Sequence, residues 1–251
     1  MIKKIIINAD DFGLSDSVNR AVAASLEKSL ISDTTIMANG VCFEEAVALA
    51  TEKGFSDKVG IHFNLTEGEP LTDDIKECPS FCKNGIFHHR NNRLKPLNST
   101  EKQAVYNELR SQVEKVRAAG IVIDHADSHH HIHTAVFIAP IVFRVCKEYG
   151  IKKIRLHRNI GNIPFYKKAI KSLYNKTLRN KGFITTDYFG SLKDIGDITV
   201  PDRLEIMVHP DYDKNDILID RRDFIDGIPA GVPLYSAADA KEINLISYGD
   251  L

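Results

Sequence analysis

Short apolar runs that end in polar or charged residues alternate along the chain with stretches whose apolar residues recur at helical spacing. The first run, residues 3–9, carries the consecutive isoleucines Ile5, Ile6 and Ile7 and predicts a strand buried on both faces. Ser15 or Asp16 then caps a helix over 17–30, with Val18, Ala21, Val22 and Leu26 on its apolar side. Strands follow at 34–38 and 58–65, with a helix over 43–53 between them. In the latter strand His62 and Asn64 share one face, and Ile61, Phe63 and Leu65 the other. Residues 66–98 lose all periodicity and are broken by Gly68, Pro70, Pro79, Gly85 and Pro96. An irregular stretch of that length inside a compact domain predicts a lid or a substrate wall. Thr100 with Gln103 has the form of a capping box at the start of a long helix, which Gly120 ends. A strand over 121–133, a helix over 140–149, a strand over 152–157, a basic amphipathic helix over 165–180 and strands at 183–186, 204–208 and 243–248 complete the pattern.

Strands and helices alternate with no break in composition and no internal repeat. The expected fold is α/β: one (β/α) barrel over residues 1–251, of seven or eight mostly parallel strands, with loop 66–98 near its active site. A doubly wound open sheet is the alternative. The chain length of 251 residues suits a barrel. A formal net charge of −1 gives no reason to expect a nucleic-acid partner. No apolar run approaches the roughly 20 residues that cross a bilayer, and the chain opens directly on a strand, so no membrane association and a cytoplasmic location are expected. Cys78 and Cys82 have no second pair to complete a zinc ribbon and read, with Cys42 and Cys146, as free thiols. The first strand is followed by Asp10-Asp11-Phe12-Gly13 and not by a glycine-rich phosphate loop, so nucleotide binding is not expected.

Two adjacent carboxylates at the end of a buried strand repel each other and need a cation, a shared proton or solvent. In a parallel barrel the carboxyl ends of all strands open onto one face. That face would collect Asp10 and Asp11, His62, Asp127 and His129, Arg155 and His157, and His209. Singly, each has an ordinary explanation, as a helix cap, a core histidine or a surface ion pair; together, one structural premise accounts for all of them. Asp11, His62 and His129 form a set of one carboxylate and two imidazoles suited to a divalent cation. Such an ion would relieve the Asp10–Asp11 repulsion and bring the pKa of a bound water toward 7. Asp10 could then accept a proton as general base, and His209 could protonate a leaving group. Arg155 could bind a substrate oxygen or orient a carboxylate, and Asp127 and His131 are grouped with it as substrate contacts. In an extended segment Asp127, His129, His131 and His133 share a face; in a helical one His129 and His133 do, and spacing leaves both open. For both aspartates to serve one site, the chain must bend at residues 9–12, beside Gly13.

NADDFG at 8–13, GIHFNLTEGEPL at 60–71, DSHHHIH at 127–133 and HP at 209–210 resemble, in that order, the motifs of the YdjC-type carbohydrate deacetylases, whose best-known members are the chitooligosaccharide deacetylases. The resemblance covers nearly the whole chain. It implies a (β/α) barrel and metal-dependent removal of an acetyl group from an N-acetylated sugar. By motif position it implies Asp11, His62 and His129 as ligands of Mg2+ or Zn2+ and Asp10 as the base; His209 matches the acid through a shorter motif. Homodimers are common in the family. Loop 66–98, with its cysteines and His88-His89, and the stretch 225–233 depart from the family pattern, which leaves substrate choice, and not the chemistry, open; loop 66–98 is where substrate choice is expected to lie. The expected reaction is amide hydrolysis that releases acetate and an amino sugar. Another metal hydrolase, of phosphoesters or cyclic amides with His131 or His133 at a second ion, is one alternative. A non-enzymatic sugar- or metal-binding protein is another. A glycosidase fits poorly, because the two acids are adjacent and not across a cleft.

Overall fold

A computed structural model of the protein describes residues 3–88, 94–194, 203–222, 224–225, 228–229, 232–233 and 243–251. Its centre is a curled sheet of parallel strands: β1 (Lys3–Phe12), β2 (Asp33–Ile36), β3 (Val59–Phe63), β4 (His125–Ser128), β5 (Lys153–Ile154), β6 (Tyr188–Ser191) and β7 (Leu204–Val208), in the order β5-β4-β3-β2-β1-β7-β6. Read around the curl, each strand neighbours the next in sequence and β7 returns to β1. The gap between the edge strands is spanned by a parallel bridge from Lys153 of β5 to Ile184, ahead of β6, and by the Asn159 N–H, beyond β5, which donates to the Phe189 carbonyl of β6. This circular order is that of a (β/α) barrel, not of a doubly wound sheet. An eighth strand, β8 (Ile243–Leu245), pairs with Lys3–Ile5 on the edge of β1 that β2 occupies further along.

Helices α1 (Asp16–Glu27), α2 (Phe43–Glu52), α3 (Ser99–Ala118), α4 (Ala139–Glu148) and α5 (Phe165–Asn180) follow β1, β2, β3, β4 and β5. Ile5, Ile7 and Ala9 of β1 join Val18, Ala21 and Val22 of α1 in the main apolar cluster. Alternation therefore turns Ile6, Asn8 and Asp10 into the barrel, and all three are buried. The polar ones survive there because they are bonded: the Asn8 amide donates to Asp10 Oδ1 at 3.0 Å and to Thr35 Oγ1 at 3.2 Å.

Several elements differ from the sequence reading. The capping box of α3 is formed by Asn98 and Glu101, not by Thr100 and Gln103: Asn98 Oδ1 accepts from the Glu101 N–H, and Glu101 Oε2 from the Asn98 N–H, each at 2.9 Å. The strand expected over 121–133 contracts to His125–Ser128, because His130 and His131 take left-handed backbone angles (φ 50° and 53°) in a 3-10 turn over His129–Thr134. Residues 183–186 hold only the bridge at Ile184, and β6, at Tyr188–Ser191, was not expected. Loop 66–98 is more organised than its sequence suggests. It contains a one-turn helix (Asp73–Lys76) and a two-stranded ladder (Cys82–Lys83 with Ile86–Phe87). The Glu108 carboxylate of α3 anchors it by accepting from the N–H groups of Leu71 and Thr72. The stretch 225–233 lies only partly within the described residues. Among the described residues, no helix is long and apolar enough to cross a membrane.

All four cysteines are free. Cys78 and Cys82 turn inward from loop 66–98 into the core, where burial pushes both thiols up, Cys82 to about 11. Cys146 is fully buried, and Cys42 is half-buried. A small aromatic disulfide reagent at pH 8 should therefore titrate about one thiol in the native chain and all four in denaturant; rapid reaction of the Cys78/Cys82 pair would contradict this packing. Asn98→Ala should destabilise the protein by about 1 kcal/mol in urea unfolding, against less than about 0.5 kcal/mol for Thr100→Ala.

Candidate active site

The adjacent acids reach one site through a bulge. Ala9 pairs with Thr34 but Phe12 pairs with Ile36, so β1 spends three steps where β2 spends two. The extra residue falls at Asp10-Asp11, and Asp11 takes φ 70°, a left-handed angle that a short polar side chain tolerates better than most. Asp11 is thereby swung to the barrel mouth, where His62 of β3 and His129 from the turn after β4 meet it. His62 Nε2 lies 3.1 Å and His129 Nδ1 2.7 Å from the same oxygen, Asp11 Oδ1. Burial would raise the Asp11 pKa, but the two imidazoles outweigh it and hold the carboxyl well below its usual range.

Each of these groups is braced from behind. Asp127 Oδ1 lies 2.6 Å from His62 Nδ1, and Thr35 Oγ1 contacts both partners of that pair. A carboxylate on the far nitrogen of an imidazole fixes the ring and raises its basicity. Burial would lower the His62 pKa, but Asp127 and Asp11 push it up to about 10. Asp10 is gripped by Arg155, whose Nη1 and Nη2 donate to its two oxygens at 2.7 Å. Arg155 also pairs with Asp127 and, through Nε at 2.7 Å, with Glu205 of β7. Burial opposes the charge on Asp10, yet Arg155 keeps this carboxyl far below the ordinary range. His209 follows β7 with Nε2 3.8 Å from Asp10 Oδ2, and burial pushes its pKa down to about 3 despite the two aspartates.

The structure thus brings together Asp10, Asp11, His62, Asp127, His129, Arg155 and His209. It turns His131 elsewhere: its ring packs edge-on to Phe189 and to His133. His133 is buried, with Nδ1 2.5 Å from Ser128 Oγ, and burial holds its pKa well below normal. His125 lies in the floor of the barrel, stacked on Tyr248. Arg155 and Asp127 are fully enclosed behind Asp10 and His62.

Four contributors escaped the sequence reading. Glu67 Oε2, in the first turn of loop 66–98, lies 2.9 Å from His129 Nε2. Arg221 and Arg222 reach Asp11 Oδ2 at 2.6 and 3.4 Å. Glu205 carries the third carboxylate on Arg155. A charged residue inside the apolar run LEIMV was the available signal for Glu205, and position within the GIHFNLTEGEPL motif that for Glu67. Nothing in the sequence around Arg221 and Arg222 distinguishes them from surface cations.

The donor set fits the divalent ion that the motifs imply. One carboxylate oxygen and two imidazole nitrogens, all buried, converge within 4.8 Å of one another, and the carboxylate Asp127 braces one ligand. Such a set accepts zinc or another first-row ion readily and magnesium less so.

Comparison with known proteins finds relatives that match most of the chain. A carbohydrate deacetylase of Clostridium beijerinckii is 34% identical over 223 residues, 86% of this chain and 84% of that one. A carbohydrate deacetylase of Vibrio parahaemolyticus is 30% identical, over 83% of this chain and 78% of its own. Among solved structures, a proposed cellobiose-phosphate cleavage protein of Enterococcus faecalis V583 shares the fold, with a TM-score of 0.72 at 22% identity, over 100% of this chain and 99% of that one. The model of the YdjC-like protein family matches residues 4–243, and the chain belongs to that family.

Proposed function

We propose that this protein is a carbohydrate deacetylase that hydrolyses the acetamido group of an N-acetylated sugar, chitooligosaccharides being the first candidates, with Asp11, His62 and His129 holding a divalent ion, Zn2+ or Mg2+. The observation that carries this reading is the convergence of two imidazole nitrogens on one oxygen of Asp11, beside a second carboxylate that Arg155 orients independently. The names of the relatives support the substrate class.

The ion supplies Lewis acidity, which makes a water more acidic and an acetyl carbonyl more electrophilic. Asp10 takes the proton of the attacking water at Oδ2, the oxygen nearer His209. Held so far below its usual pKa, Asp10 keeps that proton only briefly. His209 is neutral at physiological pH because it is buried, so its Nε2 can accept the proton from Asp10. A histidinium with so low a pKa is a strong acid, and it passes the proton to the departing sugar nitrogen. Acetic acid and a free amine result, and at neutral pH the acid's proton passes to the amine or to solvent, which closes the proton balance. Arg155 and Asp127 act as positioning residues for Asp10 and His62, since their burial leaves them no face toward a sugar. Arg221 and Arg222, at the mouth, take over the contact with substrate oxygens that Arg155 was expected to make. His131, whose ring packs against Phe189 and His133, is given no contact with the sugar in this reading. Homodimerisation belongs to the same proposal: Phe165, Ile170 and Leu173 give α5 an exposed apolar face that a second copy would cover.

Acetate release from a panel of N-acetylated mono- and oligosaccharides, with and without chelator, is the direct test. Asp11→Ala should lose the ion and the activity together. Asp10→Asn should keep the ion and lose activity by roughly 10²–10⁴-fold; full turnover in that variant would remove Asp10 from the proton path. In chelated protein His62 is a cation up to about pH 10, whereas a ligating imidazole must be neutral. Zn2+ titrations in buffers of different ionisation enthalpy should therefore show release of about one proton or more per ion near pH 7.5, and affinity that rises with pH toward 10. Binding without proton release would argue against ligation by His62.

A further inference from the structure

A second group of ligand-type side chains lies at the opposite end of the barrel from Asp11. Asp33 opens β2, His125 opens β4 and Asp124 precedes it, so the three meet at the amino ends of parallel strands. Asp33 Oδ2, Asp124 Oδ2 and His125 Nδ1 lie within 4.8 Å of one another. Asp33 and His125 are fully buried, and none of the three atoms has a hydrogen-bond partner.

The other atoms of the same side chains are all engaged. Asp33 Oδ1 accepts from the Tyr248 N–H at 3.0 Å, and Asp124 Oδ1 from Lys153 Nζ at 2.8 Å. His125 Nε2 lies 3.0 Å from Asn8 Oδ1, and the Asn8 amide nitrogen already donates to Asp10 and Thr35. That bonding makes Nε2 the donor and leaves Nδ1, without a hydrogen-bond partner, facing two carboxylate oxygens. Three ligand-type atoms face one another with no hydrogen bond among them. The distance from His125 Nδ1 to Asp124 Oδ2, 3.7 Å, is too long for a hydrogen bond to settle the matter. Buried polar atoms are rarely left in this condition.

We infer that Asp33, Asp124 and His125 form a second divalent-cation site, separate from the one at Asp11. Two carboxylates and one imidazole suit Zn2+ or Mn2+ better than Mg2+ or Ca2+, which prefer all-oxygen sets. A cation with ligand distances of about 2.0–2.2 Å would gather the three donors with small side-chain rotations. Its charge would also relieve Asp33, whose carboxyl burial pushes up. Asp124, about one-fifth exposed, gives a path from solvent. The role is structural. The ion would tie β2 to β4 and both to the end of the chain, because Tyr248 bonds Asp33 through its backbone and stacks on His125 at 3.9 Å.

The test is a metal count on the full-length chain, dialysed against Zn2+ and then buffer, read by plasma mass spectrometry alongside thermal melts. The wild type should carry two ions, Asp11→Asn one, and Asp11→Asn/Asp124→Asn none; Asp124→Asn alone should carry one. Zn2+ should raise the melting temperature of Asp11→Asn but not of the double variant. Asp33→Asn provides an independent second variant with the same expected loss, and circular dichroism checks that each folds. If Asp124→Asn and Asp33→Asn, folded, keep the ion count of their parent backgrounds, the site does not exist. If the site at Asp11 holds no ion, the wild type would carry one that Asp124→Asn removes, so failure at either end of the barrel is read separately.

Discussion

A single guanidinium sits where the barrel could not otherwise tolerate its own charges. Arg155, with no exposed surface, pairs with Asp10 of β1, Asp127 of β4 and Glu205 of β7, and lies over the Phe189 ring at 4.8 Å. Moving one carboxylate from water into a protein interior costs several kcal/mol, and three together would not fold without a cation among them. The planar fork of arginine can serve three carboxylates in fixed directions, which a lysine ammonium cannot. Removing one partner of such a buried pair typically costs about 3–5 kcal/mol. The same contacts orient Asp10 and, through Asp127, His62, so the stability of the core and the alignment of the candidate site share one residue.

Around that charge the backbone departs from regular geometry where the site needs it to. The β1 bulge and the left-handed Asp11 place two consecutive side chains on one site, which a regular strand would point to opposite faces. Consecutive left-handed residues at His130 and His131 end β4 so that His129 turns in and His131 turns away. Such conformations cost energy and persist where surrounding contacts impose them, which is why they gather at ligand-binding positions.

The barrel interior is a polar column and not a plug of aliphatic side chains. Asn8 connects its two ends, donating to Asp10 at the mouth and accepting from His125 at the floor. Tyr248 closes the column, stacking on His125 and donating to Glu205 at 2.6 Å. The end of the chain is thus coupled through hydrogen bonds to the carboxylate that shares Arg155 with Asp10.

Hydrophobic periodicity alone determined the fold class, the parallel sheet, most strand positions and the set of strand ends where chemistry would collect. These depend on local burial patterns, which the chain carries residue by residue. The motif residues Asp10, Asp11, His62, His129 and His209 could be named for the same reason: each sits at a strand end. Tertiary structure alone decided which groups work in front and which behind. Arg155 and Asp127 looked like surface or substrate contacts, and burial from neighbouring strands made them braces. Glu67, Arg221 and Arg222 come to the site from loops with no periodic signal, and the floor cluster of Asp33, Asp124 and His125 spans 92 positions of sequence from its first member to its last. Proximity between distant segments is set by the closing of the sheet, and no local pattern encodes it.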